Sequence, residues 1–285
     1  MISRKTKQRV AFTTFRLLGL AVVAILGWIL GFIIYRGAGA INWEFLTTFP
    51  RKGMTDGGIL PAIVGTLYLV LGSLAIAFPV GVMSGIYMRE YLGDRWLARV
   101  IRVMTNNLGG IPSIVFGLFG MALFVRAFGF GDSILAGSCT LALLVLPLII
   151  RSTEEALRAI PDDHRAGSRA LGAGKLETIL RVTLPVAMPN IITGLILSVG
   201  RVSGETAPIL FTAVAYSMPK LPSGILDQVM ALPYHLYVIA TSGTDIAGAR
   251  PKAYGTALVL VIIVLAVNLL ATATRACIGK KTKRD

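Results

Sequence analysis

Apolar runs of membrane-crossing length recur along this chain, and basic residues border each of them. That alternation constrains the fold more than any single motif. A hydrocarbon core about 30 Å thick is crossed by about 20 apolar residues in a helix. Lipid offers no partner to a bare backbone N–H or C=O, so crossing segments must be helices or a closed barrel. The runs here are continuous, without the strict alternation of barrel strands. The fold class is therefore an all-α polytopic membrane protein. Six spans are read: 17–34, 60–87, 108–125, 134–150, 191–214 and 257–273. A hydrophobic share of 55% and a mean hydropathy of +0.74 exclude a single soluble domain.

The net charge of +14 would also suit a nucleic-acid binder, but the basic residues flank apolar runs and form no separate patch. No nucleic-acid partner is expected; the partner of these surfaces is the lipid bilayer. Twenty Lys and Arg lie in residues 1–16, 88–107, 151–190 and the tail 274–285, against seven in residues 35–59, 126–133 and 215–256. Positive residues stay inside. The sequence thus predicts a bacterial cytoplasmic (inner) membrane protein with both termini in the cytoplasm. It divides into 1–59 (basic arm, first helix and external loop), 60–273 (transmembrane core) and 274–285 (basic tail). Ala38-Gly39-Ala40 has the form of a signal cleavage site, but the apolar run before it is long, so it is read as an uncleaved first helix.

The longest polar interval between two spans, 151–185, is the cytoplasmic loop of this topology and carries six basic and five acidic residues. Pro161 suits the first position of a helix, where its missing N–H costs nothing. Asp162 and Asp163 place negative charge at the positive end of the helix dipole. Arg165 and Arg169 follow four apart on one face, and Gly172 is placed for a left-handed cap. A second helical run, 175–183, is expected to end at Leu184-Pro185. Gly172-Ala173-Gly174-Lys175-Leu176 is not a phosphate-binding loop. Arg169 stands at the first glycine position and Leu176 replaces the magnesium-holding Ser or Thr. No Ser/His/Asp set or catalytic carboxylate pair is present, so the chain is not expected to be an enzyme. His164 and His235 are isolated, no metal site is read, and Cys139 and Cys277 are not expected to pair.

The loop resembles the cytoplasmic "EAA" loop of ABC importer permeases. Gly172 takes the glycine position, Val182-Thr183-Leu184-Pro185 the terminal one, and Ala166-Gly167-Ser168 the Glu-Ala-Ala triplet, whose glutamate is missing. Two further stretches, Gly110-Ile111-Pro112-Ser113-Ile114-Val115-Phe116-Gly117-Leu118-Phe119 and the run from Gly200 to Ala213, are similar to phosphate-importer permeases of the PstA type. The likeness spans 60–270. It implies a type I importer fold and a loop, 151–185, whose first helix docks on an ATPase subunit. It also implies a PstC-type permease partner, two copies of a PstB-type ATPase and an external phosphate-binding protein. ATP and Mg would be bound by that ATPase, and no cofactor by this chain. An importer for another oxyanion, or a secondary transporter, are the alternatives.

Arg201 lies ten residues into the fifth span as read, about 15 Å deep at 1.5 Å per residue. A charge there must face water or protein. Glu205 is one turn on, and Ser203 and Thr206 offer hydroxyl groups nearby. These four residues are the expected substrate path, with the guanidinium as a planar two-pronged donor to phosphate.

Overall fold

A computed structural model of the chain describes residues 4–242 and 245–281, without the side chains of residues 4, 6, 7 and 277–281, so the reading of Cys277 lies outside it. The first helix, α1, runs Arg4–Gly37, and after a short 3-10 turn α2 covers Trp43–Thr47. Two two-residue strands, β1 (Pro50–Arg51) and β2 (Asp56–Gly57), pair antiparallel. The second long helix, α3, is Leu60–Ile86 and passes directly into a π-helical turn, Tyr87–Leu92. Next come α4 (Trp96–Gly109), α5 (Ser113–Gly120) with a π-helical turn to Ala127, and α6 (Ile134–Arg158). The polar loop holds α7 (Asp162–Ala170) and α8 (Lys175–Thr178). Then follow α9 (Leu184–Ser203), α10 (Ala207–Leu210), α11 (Leu232–Thr241) and α12 (Ile246–Lys281).

Five of these helical stretches are long and apolar enough to cross a membrane: Gln8–Ala40, Leu60–Leu92, Ile134–Arg158, Lys175–Ser203 and Ile246–Ala276. The sixth expected span, 108–125, is the second arm of a bent pair in which α4 and α5 with its π turn meet at 101°. The bend falls at Gly110-Ile111-Pro112. Pro112 is the N-cap of α5, with φ −56° and ψ 137°, and has no N–H to continue a helix from α4. The basic stretch 88–107, read as cytoplasmic, holds most of the π-helical turn and of α4.

The fifth span also departs from its expected bounds. The helix does not stop at Leu184-Pro185 but is continuous from Lys175 to Ser203. The turn Ile179–Thr183 is π-helical. Its wider i→i+5 spacing takes up the carbonyl that Pro185 would strike and the N–H it lacks. The helix ends at Ser203, before Pro208 in the first turn of α10, rather than reaching Val214. The last span begins earlier than expected, at Ile246.

The body is built on α3 against α6. Gly72, Gly81 and Gly85 line that crossing: a Cβ on Gly81 would lie 2.6 Å from Ile149, and one on Gly85 2.6 Å from Thr153, while Gly72 abuts Ser138. Small residues let the two backbones approach without a hydrophobic drive from the solvent. The central core, with Leu69, Leu141, Leu144, Val145, Ile149 and Val199, grows out of this crossing. A second core lies at the far end, where Phe45, Ile59, Met230, Leu232, Ile239 and Val259 join α2, α3, α11 and α12. The membrane-crossing window of α1 is not buried by its own chain at all; the helix touches α12 at its end, where Phe32 packs edge-on to Tyr254.

Candidate functional site

The polar loop folds into the helix–glycine–helix frame, with its parts redistributed. Pro161 is the N-cap of α7, not its first residue, because its ψ of 142° is extended. Asp162 and Asp163 occupy the first turn. Gly172 has φ +86°, the left-handed region in which only glycine is unstrained. Its N–H bonds the Arg169 carbonyl at 3.0 Å and the Ala173 N–H bonds the Ser168 carbonyl at 3.2 Å. This pair of bonds is a Schellman cap.

The two arginines expected on one face part company. Arg165 is the only buried residue of α7 among those described, at 8% exposure. Arg169 stays at the surface, its Nε donating to the Arg165 carbonyl at 3.2 Å. The Arg165 guanidinium meets Glu90 of the π-helical turn at 2.8 Å, with both side chains 9% exposed. It also donates to the Leu157 and Ile160 carbonyls and to Asp162, at 2.9, 3.0 and 3.1 Å. The outward side of α7 carries Asp163, His164, Ala166 and Gly167, and ends in Leu171, which is 90% exposed. Leu176 at the head of α8 is 60% exposed. These two leucines were missed in the sequence, although an apolar residue at the tip of a charged loop is a legible sign of a covered surface. Leu184 packs beside the small core of Ala156, Leu157, Ile160, Ala187 and Ile191, and Pro185 is exposed within the continuous helix.

The second group lies along α9. Gly194 packs against Ser152, at the charged end of α6. Arg201 lies seven residues further along α9, about 10 Å from that level. Arg201 Nε lies 3.7 Å from Glu205 Oε1, with side-chain exposures of 34% and 17%. This is an ion pair, too long for a strong hydrogen bond. Among the described residues Glu205 is the one carboxylate within ion-pair range of Arg201. Ser203 turns away: it is buried and its Oγ donates to the Val199 carbonyl at 2.7 Å. Thr206 is half-buried at the head of α10. Asn268 of α12 was missed in the sequence. Its amide Nδ2 would lie 3.6 Å from a Cβ on Gly200, and its Oδ1 is buried with no partner among the described residues. A lone Asn in the apolar run of the last span was the available signal.

At the far end, Lys252 Nζ donates to the Gly57 carbonyl at 2.8 Å and lies 3.7 Å from Asp56, fastening the strand pair to α12. Backbone donation from Gly57, then Lys52, holds the exposed Asp56 carboxyl below its usual range. His235 of α11 is buried, with Nδ1 unpartnered among the described residues, and burial followed by the Lys252 charge lowers its pKa to about 4. Together with the buried face of α11, this makes it a packing residue.

The family profile of the binding-protein-dependent transport system inner membrane component matches residues 77–284. The chain is 38% identical to the phosphate transport system permease protein PstA of Mycobacterium leprae (strain TN), covering 98% of this chain and 93% of that one. It is 35% identical to the probable ABC transporter permease protein YqgI of Bacillus subtilis (strain 168), over 98% and 99% of the two chains. In fold it is similar to a chain of a bacterial ABC transporter involved in import of the acidic polysaccharide alginate, with TM-score 0.65, 14% identity, and 95% and 98% of the chains covered.

Proposed function

The chain belongs to the binding-protein-dependent transport system inner membrane component family, and from that premise we propose that it is the transmembrane permease subunit of an ATP-driven phosphate importer. Near-full-length similarity to a phosphate-system permease carries the phosphate assignment. The basic end, which holds the polar loop, faces the cytoplasm, as the positive-inside bias supports. The ATP chemistry belongs to a separate ATPase subunit, which binds ATP and Mg and docks on the outward side of α7 and on Leu171. Two such ATPases serve a heterodimer of this chain with a PstC-type permease, and the uncovered apolar length of α1 supports such a partner within the bilayer. An external phosphate-binding protein meets the opposite end, where Tyr216, Leu221, Ile225 and Leu226 stand exposed in the loop before α11.

Phosphate passes Arg201. Its guanidinium cannot lose its proton and offers a planar fork to two oxygens. Glu205, on the same side at 3.7 Å, holds that fork between passages and keeps the anion from binding too tightly to leave. Ser203 is spent on the helix backbone, leaving Thr206 as the neutral donor of the original set and Asn268 as an additional polar group beside α9. The test is phosphate uptake into vesicles by the assembled complex. Arg201→Lys keeps the charge and loses the fork; Arg201→Gln loses both. Both assemble, and both transport slowly, the glutamine variant by about 100-fold, the scale of one lost charge-assisted contact of 2–3 kcal/mol. Normal uptake by an assembled Arg201→Gln complex would contradict this role.

A further inference from the structure

We propose that the π-helical turn Tyr87–Leu92 is the seat through which α7 passes its movement to α3, with Glu90 and Arg165 as the positioning pair. This rests on the reading of α7 as the ATPase-contacting helix and names the next element in that path.

Three consecutive residues of the turn each hold a different point of the loop. Arg89 Nη2 lies 3.6 Å from Asp162 at the head of α7. Glu90 takes Arg165 at 2.8 Å in the middle of α7. The Tyr91 ring lies 4.4 Å beneath Lys175 Nζ at the head of α8. A π-helical turn, with its wider i→i+5 ring, points successive side chains less far apart than an α-helix does. That allows three neighbours in sequence to serve one surface.

The middle contact is the decisive one. Arg165 is the only buried residue of α7 among those described, so no apolar stripe ties this helix to the body. The five guanidinium N–H groups have a matching set of acceptors. Nε and one Nη2 proton go to Glu90, the other Nη2 proton to the Leu157 carbonyl, and the two Nη1 protons to the Ile160 carbonyl and Asp162. A lysine, with three donors on a point charge, could not make this joint. One side chain thereby joins α7, the end of α6 and the turn that prolongs α3.

The seat is pinned at its far side as well. The Gly93 carbonyl, just past the turn, accepts from Arg102 Nη2 at 2.7 Å, and Arg102 Nε meets Glu154 of α6 at 2.6 Å. The turn is continuous with α3 through Ile86, whose backbone is helical. A displacement of α7 therefore reaches α3 as a rigid push and not as slack in a loop.

The experiment uses the complete complex, purified with its ATPase and reconstituted, and reads phosphate taken up per ATP hydrolysed. Glu90→Gln leaves the fork without its counter-charge; uptake per ATP should fall about tenfold, while the ATPase still co-purifies in the same ratio. Glu90→Asp keeps the charge and should recover part of the loss. Tyr91→Ala removes an exposed contact outside the buried pair, so it tests the seat even if Glu90→Gln does not accumulate, and should lower the same ratio less. An unchanged ratio in Glu90→Gln, or in Tyr91→Ala where only that variant accumulates, overturns the proposal. So does loss of the ATPase from the Glu90→Gln complex, which would make the pair a docking element. Absence of ATP-driven uptake by the unmodified complex would instead overturn the transport reading beneath it.

Discussion

Two short helices at opposite ends of the molecule, α7 with nine residues and α11 with ten, are fixed by opposite means. The far-end helix α11 buries Leu232, Pro233, His235, Val238 and Ile239, and the Leu232 N–H bonds the buried Thr66 hydroxyl at 2.8 Å. It is closed onto its own core. The loop helix α7 buries one arginine and leaves Leu171 90% exposed. Apolar burial fixes a helix wherever the surrounding volume happens to fit it. Polar contacts from the π-helical turn, Arg89 to Asp162 and Glu90 to Arg165, hold α7 by one side and leave its outward side exposed. Helix α11 is thus closed over by this chain itself, whereas the outward side of α7 is left uncovered by it.

The contrast can be broken most forcefully at α11. Ile239 is 1% exposed in the second core. Ile239→Ala should cost about 2–5 kcal/mol through lost burial and the cavity left behind. Thermal melting of the purified protein should show it, with uptake lost in proportion to the unfolded fraction. A comparable loss from an outward residue of α7 would mean that α7 is part of the folded core and the contrast is wrong.

A smaller effect sharpens the same point through pH. The His235 pKa falls from 6.5 to about 4 in the folded chain, so folding keeps this imidazole neutral. Its contribution is complete above pH 6.5 and is lost as pH falls towards 4, to a total of ~3 kcal/mol. Melting of the wild type should therefore drop between pH 6.5 and 4 more steeply than that of His235→Leu, which has nothing to titrate there. Parallel curves for the two would place His235 outside the core.

How much of this was legible in the sequence depends on what decides each feature. Spans set by hydrophobic length, such as 60–87 and 134–150, lie within observed helices, because burial in lipid needs no knowledge of neighbours. The Gly172 cap was readable for the same reason: only local backbone geometry decides it. The course of the chain through Pro185 was not readable, since it turns on a widened turn that Ile179–Thr183 does not advertise. Nor was the partition of Arg165 from Arg169, because the deciding residue, Glu90, is 75 positions away. The Arg201–Glu205 pair was readable from helical spacing alone. Ser203 looked like a donor to the path, and the α9 backbone claims it.

The smallest effect on this chain's own stability belongs to the most direct test. Leu171 is 90% exposed at the tip of the loop, so Leu171→Asp should change the melting of the isolated subunit by no more than about 0.5 kcal/mol. The measurement is recovery of the ATPase subunit with the purified permease carrying that change. The expected result is a normally folded permease that has lost its ATPase and its ATP-driven phosphate uptake. Full recovery of the ATPase, with uptake intact, would contradict it.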